Sequence, residues 1–351
     1  MIVKLLSGDL PRSTVLAVIL GLVFIALAFA PFLFPGVRSV DTAARICVFI
    51  VLVASYDLML GYGGIVSFAH TMFFGMGAYG VALSSTNMGR GWDAMLTGSL
   101  TGALAAAALA FLIGLFSLRV RAIFFAMITL AVASAVAVLV SQLSSITGGE
   151  DGLTYLIPRE LTPAFRFGDS FLGANLNGRL LAYYLVFSGA LLLFLILLRV
   201  VNSPFGRVLQ AIRENDFRAE AVGFRVVAYR TGATCISAAV AALAGSLYAI
   251  WLRYVGPDTV LSFDIMIDIL LMVVIGGMGT MYGAVIGATL LVLAQNYLQG
   301  IMGTASRAVE GLPILPDLLD PDRWLLWLGV LFVLSIYFFP TGVVGRLRMQ
   351  R

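Results

Sequence analysis

The chain has 351 residues, of which 61% are hydrophobic and 11% charged, with a net charge of +4. Soluble domains carry about 25% charged and 45–50% apolar residues, so this composition excludes a water-soluble globular enzyme, a disordered chain and a nucleic-acid-binding module. The solvent is lipid, and the basic excess bears on orientation in a bilayer.

A membrane-crossing helix needs about 20 apolar residues. Lys4 and Arg12 precede an apolar run from Thr14 to Phe34. That run exceeds the apolar stretch of a signal peptide, and Pro31 and Pro35 stand in place of a small-residue cleavage site, so it reads as a retained first span. Further spans are predicted at 44–61, 65–84, 95–118, 122–145, 180–200, 231–254, 264–281, 284–300 and 324–340. The expectation is an all-α, polytopic membrane helix bundle of about ten segments, forming one transmembrane domain over 1–351. GYGG at 61–64 and GGMGTMYG at 276–283 interrupt two long apolar stretches. Each stretch is either two short spans or one span with a broken or re-entrant helix.

Charge placement orients these spans. Residues 199–230 hold six arginines against Glu214, Asp216 and Glu220, which marks a cytoplasmic segment. Counting outward from it places Arg119, Arg121, Arg346, Arg348 and Arg351 on the same side, with both termini cytoplasmic. The outer loop at 301–323 is then net acidic, with Glu310, Asp317, Asp320 and Asp322 against Arg307 and Arg323.

Catalytic and metal signatures are missing from the sequence. It has no GxxxxGK[ST] loop, no HExxH, no GxSxG and a single histidine, His70. Cys47 and Cys235 lie in apolar runs and read as packing residues. The chain is therefore expected to be no enzyme, to hold no metal, and to leave any ATP binding to other subunits.

Three segments carry information. In 202–230, Pro204 can open a helix, Val208, Leu209, Ala211, Ile212 and Ala219 give it an apolar stripe, and Gly223 ends it. Such a helix either rests on headgroups or docks a cytoplasmic partner. In 61–83, six glycines accompany Ser67, His70 and Thr71, and 270–288 repeats the glycine density. Paired glycine-interrupted segments point to a substrate path, and Ser67, His70, Gly75, Gly77, Gly276, Gly277 and Gly279 are its candidates. The same glycines also suit plain helix packing. His70 is either pore-lining or a neutral imidazole bonded to a carbonyl; with Asp57, Asp264 and Asp268 it could form a proton relay. The third segment, TGGEDGLT at 147–154, is a glycine turn at the outer end of a span.

The stretch SPFGRVLQAIRENDFRAEAVGF at 203–224 resembles the coupling loop of permease subunits in ATP-binding-cassette importers, more narrowly the LivM-type permeases of branched-chain amino acid uptake. Similar segments follow the family's order: LMLGYGGIVSFAHTMFFGMGAYGVAL (58–83), VRAIFFAMITLAVA (120–133), TGGEDGLT (147–154), LLMVVIGGMGTMYGAVIGA (270–288) and FFPTGVVG (338–345). The resemblance implies a translocation subunit in the bacterial inner membrane. Its partners would be a LivH-like permease, two cytoplasmic ATP-binding subunits and a periplasmic or extracellular solute-binding protein. Coupling to the ATPases would then fall to Gly206, Arg207, Arg213, Glu214, Glu220 and Gly223. Asp57 departs from the family pattern, in which a polar amide is more usual at this position, whereas a histidine is common where His70 stands. Urea or short amides as solutes, and a stand-alone proton-coupled transporter, are the alternatives.

Overall fold

A computed structural model describes residues 13–117, 122–168, 176–308, 320–339 and 341–349. Its centre is a helix, α3 (Val37–Asp57), which follows α1 (Thr14–Ala28) and the short α2 (Ala30–Leu33). Every residue from Ile46 to Met59 is buried. A helix that is apolar all round must be enclosed by others, and α3 packs against α8 (Gly178–Val201), α11 (Val226–Leu252), α13 (Phe263–Gly276) and α14 (Met281–Ala308). On one side, α11 packs against α4 (His70–Met88) and α5 (Trp92–Ser117). Small residues let these backbones approach, as membrane helices require. A methyl group at Gly77 would sit 1.7 Å from the carbonyl oxygen of Ala242.

The remaining helices are α6 (Ala122–Gln142), α7 (Ser144–Thr147), α9 (Pro204–Glu214), α10 (Asp216–Ala221), α12 (Pro257–Val260), α15 (Trp324–Phe338) and α16 (Gly342–Met349). Eight helical stretches among the described residues are long and apolar enough to cross a membrane. The other two of the ten expected spans are α1, with 15 residues, and α4, with 19. The first span stops early because Phe29 leaves the helical region and Pro31 opens the separate turn α2. Large apolar side chains such as Leu96, Phe116, Ile123, Met127, Leu325 and Val333 are exposed, as a lipid-facing surface requires.

Several spans differ from expectation at their ends; α14 runs to Ala308, past the expected end at 300, and α3 starts early. The span expected at 44–61 begins at Val37, because Arg38 and Asp41 are held by neighbours that hydropathy does not see. Arg38 donates to the Asn296 carbonyl at 2.6 Å, while Asp41 accepts from Arg179 at 2.8 Å and from the Trp251 indole at 3.1 Å. On that same face a small antiparallel pair forms, β1 (Leu153–Thr154) with β2 (Tyr254–Val255). The TGGEDGLT segment is the expected turn: Gly148, Gly149 and Gly152 all have positive φ, with a 3₁₀ turn at Gly149–Asp151. Beside it the buried Tyr155 donates to the Ala249 carbonyl at 2.6 Å, and burial pushes its phenol above the usual range.

Leu16, Ile286 and Val344 form one cluster, so α1 and α16 meet beside the first turns of α14. Lys4, Arg12, Arg119, Arg121, Glu310, Asp317 and Arg351 lie outside the described residues. Replacing Gly77 with valine should cost more than about 3 kcal/mol, the upper part of the overpacking range, because the obstacle is the Ala242 backbone. Gly21→Val, where nothing lies within 4 Å, should leave stability unchanged; thermal unfolding of the detergent-purified variants compares the two.

Candidate functional site

The segment 202–230 forms two helices rather than one. Ser203 caps α9, its hydroxyl accepting from the Gly206 amide at 3.5 Å, and Pro204 occupies the first turn. Asn215 is extended (φ −161, ψ 102) and ends α9, while its side chain accepts from Arg218 at 2.9 Å and caps α10. An asparagine competes with the helix by bonding locally, which explains the break. Gly223, at φ +100, closes the segment. Leu209, Ile212 and Ala219 are buried. Phe205 stacks on Tyr229 at 5.6 Å, and Arg230 approaches Asp216 at 3.9 Å, which seats both helices on the start of α11. The outward side leaves Arg207, Glu214 and Glu220 exposed beside two bare apolar groups, Phe217 at 83% and Val222 at 73% exposure.

Arg213 joins this segment to the first glycine interruption. After Asp57, α3 widens into a π-turn, Leu58–Tyr62, and the chain then leaves helical geometry until His70. Such a break frees backbone carbonyls that lipid cannot satisfy. Arg213 Nη1 donates to the freed carbonyl of Gly61, and its aliphatic stem lies against Gly64. The second interruption reaches the same place. The amide of Gly279 donates to Asp57 Oδ1 at 2.9 Å. A methyl group at Gly61 would stand 2.1 Å from that carboxylate oxygen and 2.3 Å from the Gly279 nitrogen. Gly279 itself has φ +78, and a methyl there would meet the Arg213 guanidinium at 2.8 Å. The two glycine-broken loops and the 202–230 segment therefore converge on one node built from Asp57, Gly61, Arg213 and Gly279.

The other candidates have different surroundings. His70 is fully buried; the Ser55 hydroxyl donates to the Leu52 carbonyl at 2.7 Å, so it accepts from His70 Nε2 at 2.8 Å. The ring of Tyr56 stands edge-on to the imidazole at 5.1 Å. His70 is thus held by the Ser55 hydroxyl with the Leu52 carbonyl also in reach, as the neutral, carbonyl-bonded alternative expected, and it shares no hydrogen bond with Asp268, which accepts from Gln295. Ser67 is buried and accepts from the Ala69 amide at 3.3 Å, just ahead of α4. Gly75 adjoins the Leu261 side chain, Gly77 the Ala242 carbonyl, and Gly276 the Gly283 carbonyl. Gly277 sits beside Thr341 in the loop before α16. Gly206 packs on the Val201 carbonyl. Asp57 and Gly61 were the members of the node least evident from sequence, and the available signal was an acid one turn before GYGG inside an apolar run.

Comparison with known proteins decides the family. The family described as branched-chain amino acid transport system / permease component matches residues 38–336. The chain belongs to that family. This permease is 30% identical to the high-affinity branched-chain amino acid transport system permease protein LivM of Salmonella typhimurium, over 95% of its own length and 75% of the relative. It is also 30% identical to the LivM protein of Escherichia coli, over 89% of its length and 71% of the relative. A probable LivM permease of Methanocaldococcus jannaschii is 29% identical over 61% of the chain and 58% of the relative. No solved structure matches the chain. The permease is a multi-pass membrane protein of a transport family, not an enzyme.

Two substitutions test the node. In Arg213→Ala the Gly61 carbonyl loses its donor, so amide hydrogen exchange should quicken at 61–66 and 277–280 while the β1–β2 pair keeps its protection. Gly279→Ala should cost about 1–2 kcal/mol from the left-handed backbone alone, and it should raise exchange in the same two loops.

Proposed function

We propose that this permease moves branched-chain or other hydrophobic amino acids across the bacterial inner membrane as one of two membrane subunits of an ATP-driven importer. Its partners in this reading are a LivH-like permease, two cytoplasmic ATP-binding subunits and a solute-binding protein. The relatives named for branched-chain amino acid transport support the solute class. The 202–230 segment faces the ATPases, so both termini lie in the cytoplasm.

The observation that carries this reading is the Arg213 contact with Gly61. Phe217, Val222, Arg207, Glu214 and Glu220 offer an apolar patch ringed by charges, which suits a docked protein better than water. Gly206 and Gly223 hold the shape of that surface. Movement of the docked ATPases shifts α9, and Arg213 passes the shift to both glycine-broken loops at once. Ser67, His70, Gly75, Gly77, Gly276, Gly277 and Gly279 lie in the segments that change packing as access alternates between the two sides. The two states differ in their affinity for the ATPases, which is how ATP binding shifts the population.

Co-expression with a LivH-like permease, two ATP-binding subunits and a solute-binding protein, followed by reconstitution into liposomes, tests this. Leucine uptake should require ATP, the ATPases and the binding protein together. Uptake driven by a proton gradient through this chain alone would overturn the reading. In Phe217→Asp the ATPases should no longer co-purify, and in Arg213→Ala they should co-purify and hydrolyse ATP while uptake falls at least about tenfold, the loss of one charge-assisted hydrogen bond.

A further inference from the structure

A groove of about 410 Å³ runs between α5 and α11. Phe111 and Leu115 of α5 and Ala228 and Cys235 of α11 make its walls apolar, and Arg225 stands at one end. From Arg225 to Cys235 it follows α11 for ten residues, about 15 Å along the axis. Arg225 is exposed and occupies the N-cap position of α11, a 27-residue helix. Its side chain has no acceptor to offer the amides of the first turn. That end of the helix therefore presents a guanidinium, open amides and the positive pole of the helix dipole together, which suits an anion.

Deeper in the groove lies an enclosed polar group. Thr231 is 5% exposed, and its hydroxyl is shielded from solvent with no hydrogen-bond partner among the described residues. Thr234, three residues on, shows the ordinary arrangement, donating to the Arg230 carbonyl at 2.9 Å. A methyl group on Gly114 of α5 would stand 3.0 Å from Thr231 Oγ1, so the glycine keeps the space beside the hydroxyl clear. A buried hydroxyl without a partner is costly, and a ligand acceptor relieves that cost. The groove thus asks for an anion at its mouth, a hydrogen-bond acceptor further in, and an apolar chain along its walls. A phospholipid carries those groups in that order: phosphate, ester carbonyl, acyl chain.

We propose that the groove between α5 and α11 binds one anionic phospholipid, its phosphate on Arg225 and the first-turn amides of α11, an ester carbonyl accepting from Thr231, and an acyl chain along Phe111, Leu115, Ala228 and Cys235. Basic segments draw anionic lipid at a membrane surface, and Arg225 belongs to the arginine-rich stretch 199–230. Gly232 also lines the groove, and a methyl group there would touch the Phe205 ring of α9 at 3.5 Å. The bound lipid therefore braces the seat of the 202–230 segment. The inference is independent of which solute the permease carries.

Native mass spectrometry of the detergent-purified permease, offered phosphatidylglycerol and phosphatidylcholine with matched chains, tests the site. Phosphatidylglycerol should be retained about fivefold over phosphatidylcholine, the attraction of one arginine near a membrane surface. Arg225→Gln should retain the two equally, and Ala228→Trp, which fills the groove and keeps Arg225, should retain neither. Cys235 reports occupancy separately, since Cys47 is buried. N-ethylmaleimide should modify Cys235 about fivefold more slowly in phosphatidylglycerol than in phosphatidylcholine, and equally fast in both for Arg225→Gln. Equal retention by the wild type overturns the proposal, as does a surviving preference in Arg225→Gln or unchanged retention in Ala228→Trp. Protection of Cys235 by glycerol 3-phosphate, which has no chains, assigns the groove to a free phosphate and also overturns it. If Ala228→Trp does not purify, the Cys235 comparison decides alone.

Discussion

The arginine that reaches from α9 to the carbonyl of Gly61 organises the rest of the molecule. A transmembrane helix can be broken only where something satisfies the backbone groups that the break releases. This permease breaks two stretches, after Tyr62 and after Gly276, and solves both at one place. Arg213 takes the carbonyl of the first loop and Asp57 takes the amide of the second. Because the residues between them are glycines, no side chain separates the two loops. The break is therefore stable only while the 202–230 segment stays seated, which ties the two broken helices to whatever holds α9.

Much of the bundle is legible in the sequence. Apolar run length placed each membrane helix, since lipid leaves a chain few other options, but several ends miss by five to eight residues, as where α14 runs on to Ala308. The early start of α3 follows from Arg38 and Asp41, whose partners Asn296, Arg179 and Trp251 lie far along the chain. The stripe through Val208, Leu209, Ile212 and Ala219 correctly marked an amphipathic segment, but a single asparagine that caps its own successor divides it in two. The β1–β2 pair carries no alternation to announce it, because each strand has two residues.

The site was half legible. Glycine density marked both interruptions and the arginine-rich loop, which are local signals. That these three meet was not, because the contacts join residues 152 and 222 positions apart. Spacing in sequence cannot distinguish a glycine that admits a neighbouring helix, such as Gly77 beside Ala242, from one that admits a hydrogen bond between loops, such as Gly61. Both need the absence of a β-carbon, and only the fold says what fills the space. Likewise, a lone membrane histidine suggests titration, yet the Ser55 hydroxyl and the Tyr56 ring enclose His70 in a packed hydrogen-bonded setting.

The central helix has one more property. Arg45 and Asp57 lie on the same rigid element, twelve residues apart, which at 3.6 residues per turn places them about 120° from each other around its axis. A helix enclosed from Ile46 to Met59 turns as one body, so a roll that slackened the grip of Asp57 on Gly279 would swing Arg45 through the same angle. The shaft of the molecule thus obeys a gear's logic: its two ends cannot be reset independently, and what is released at one end is re-aimed at the other.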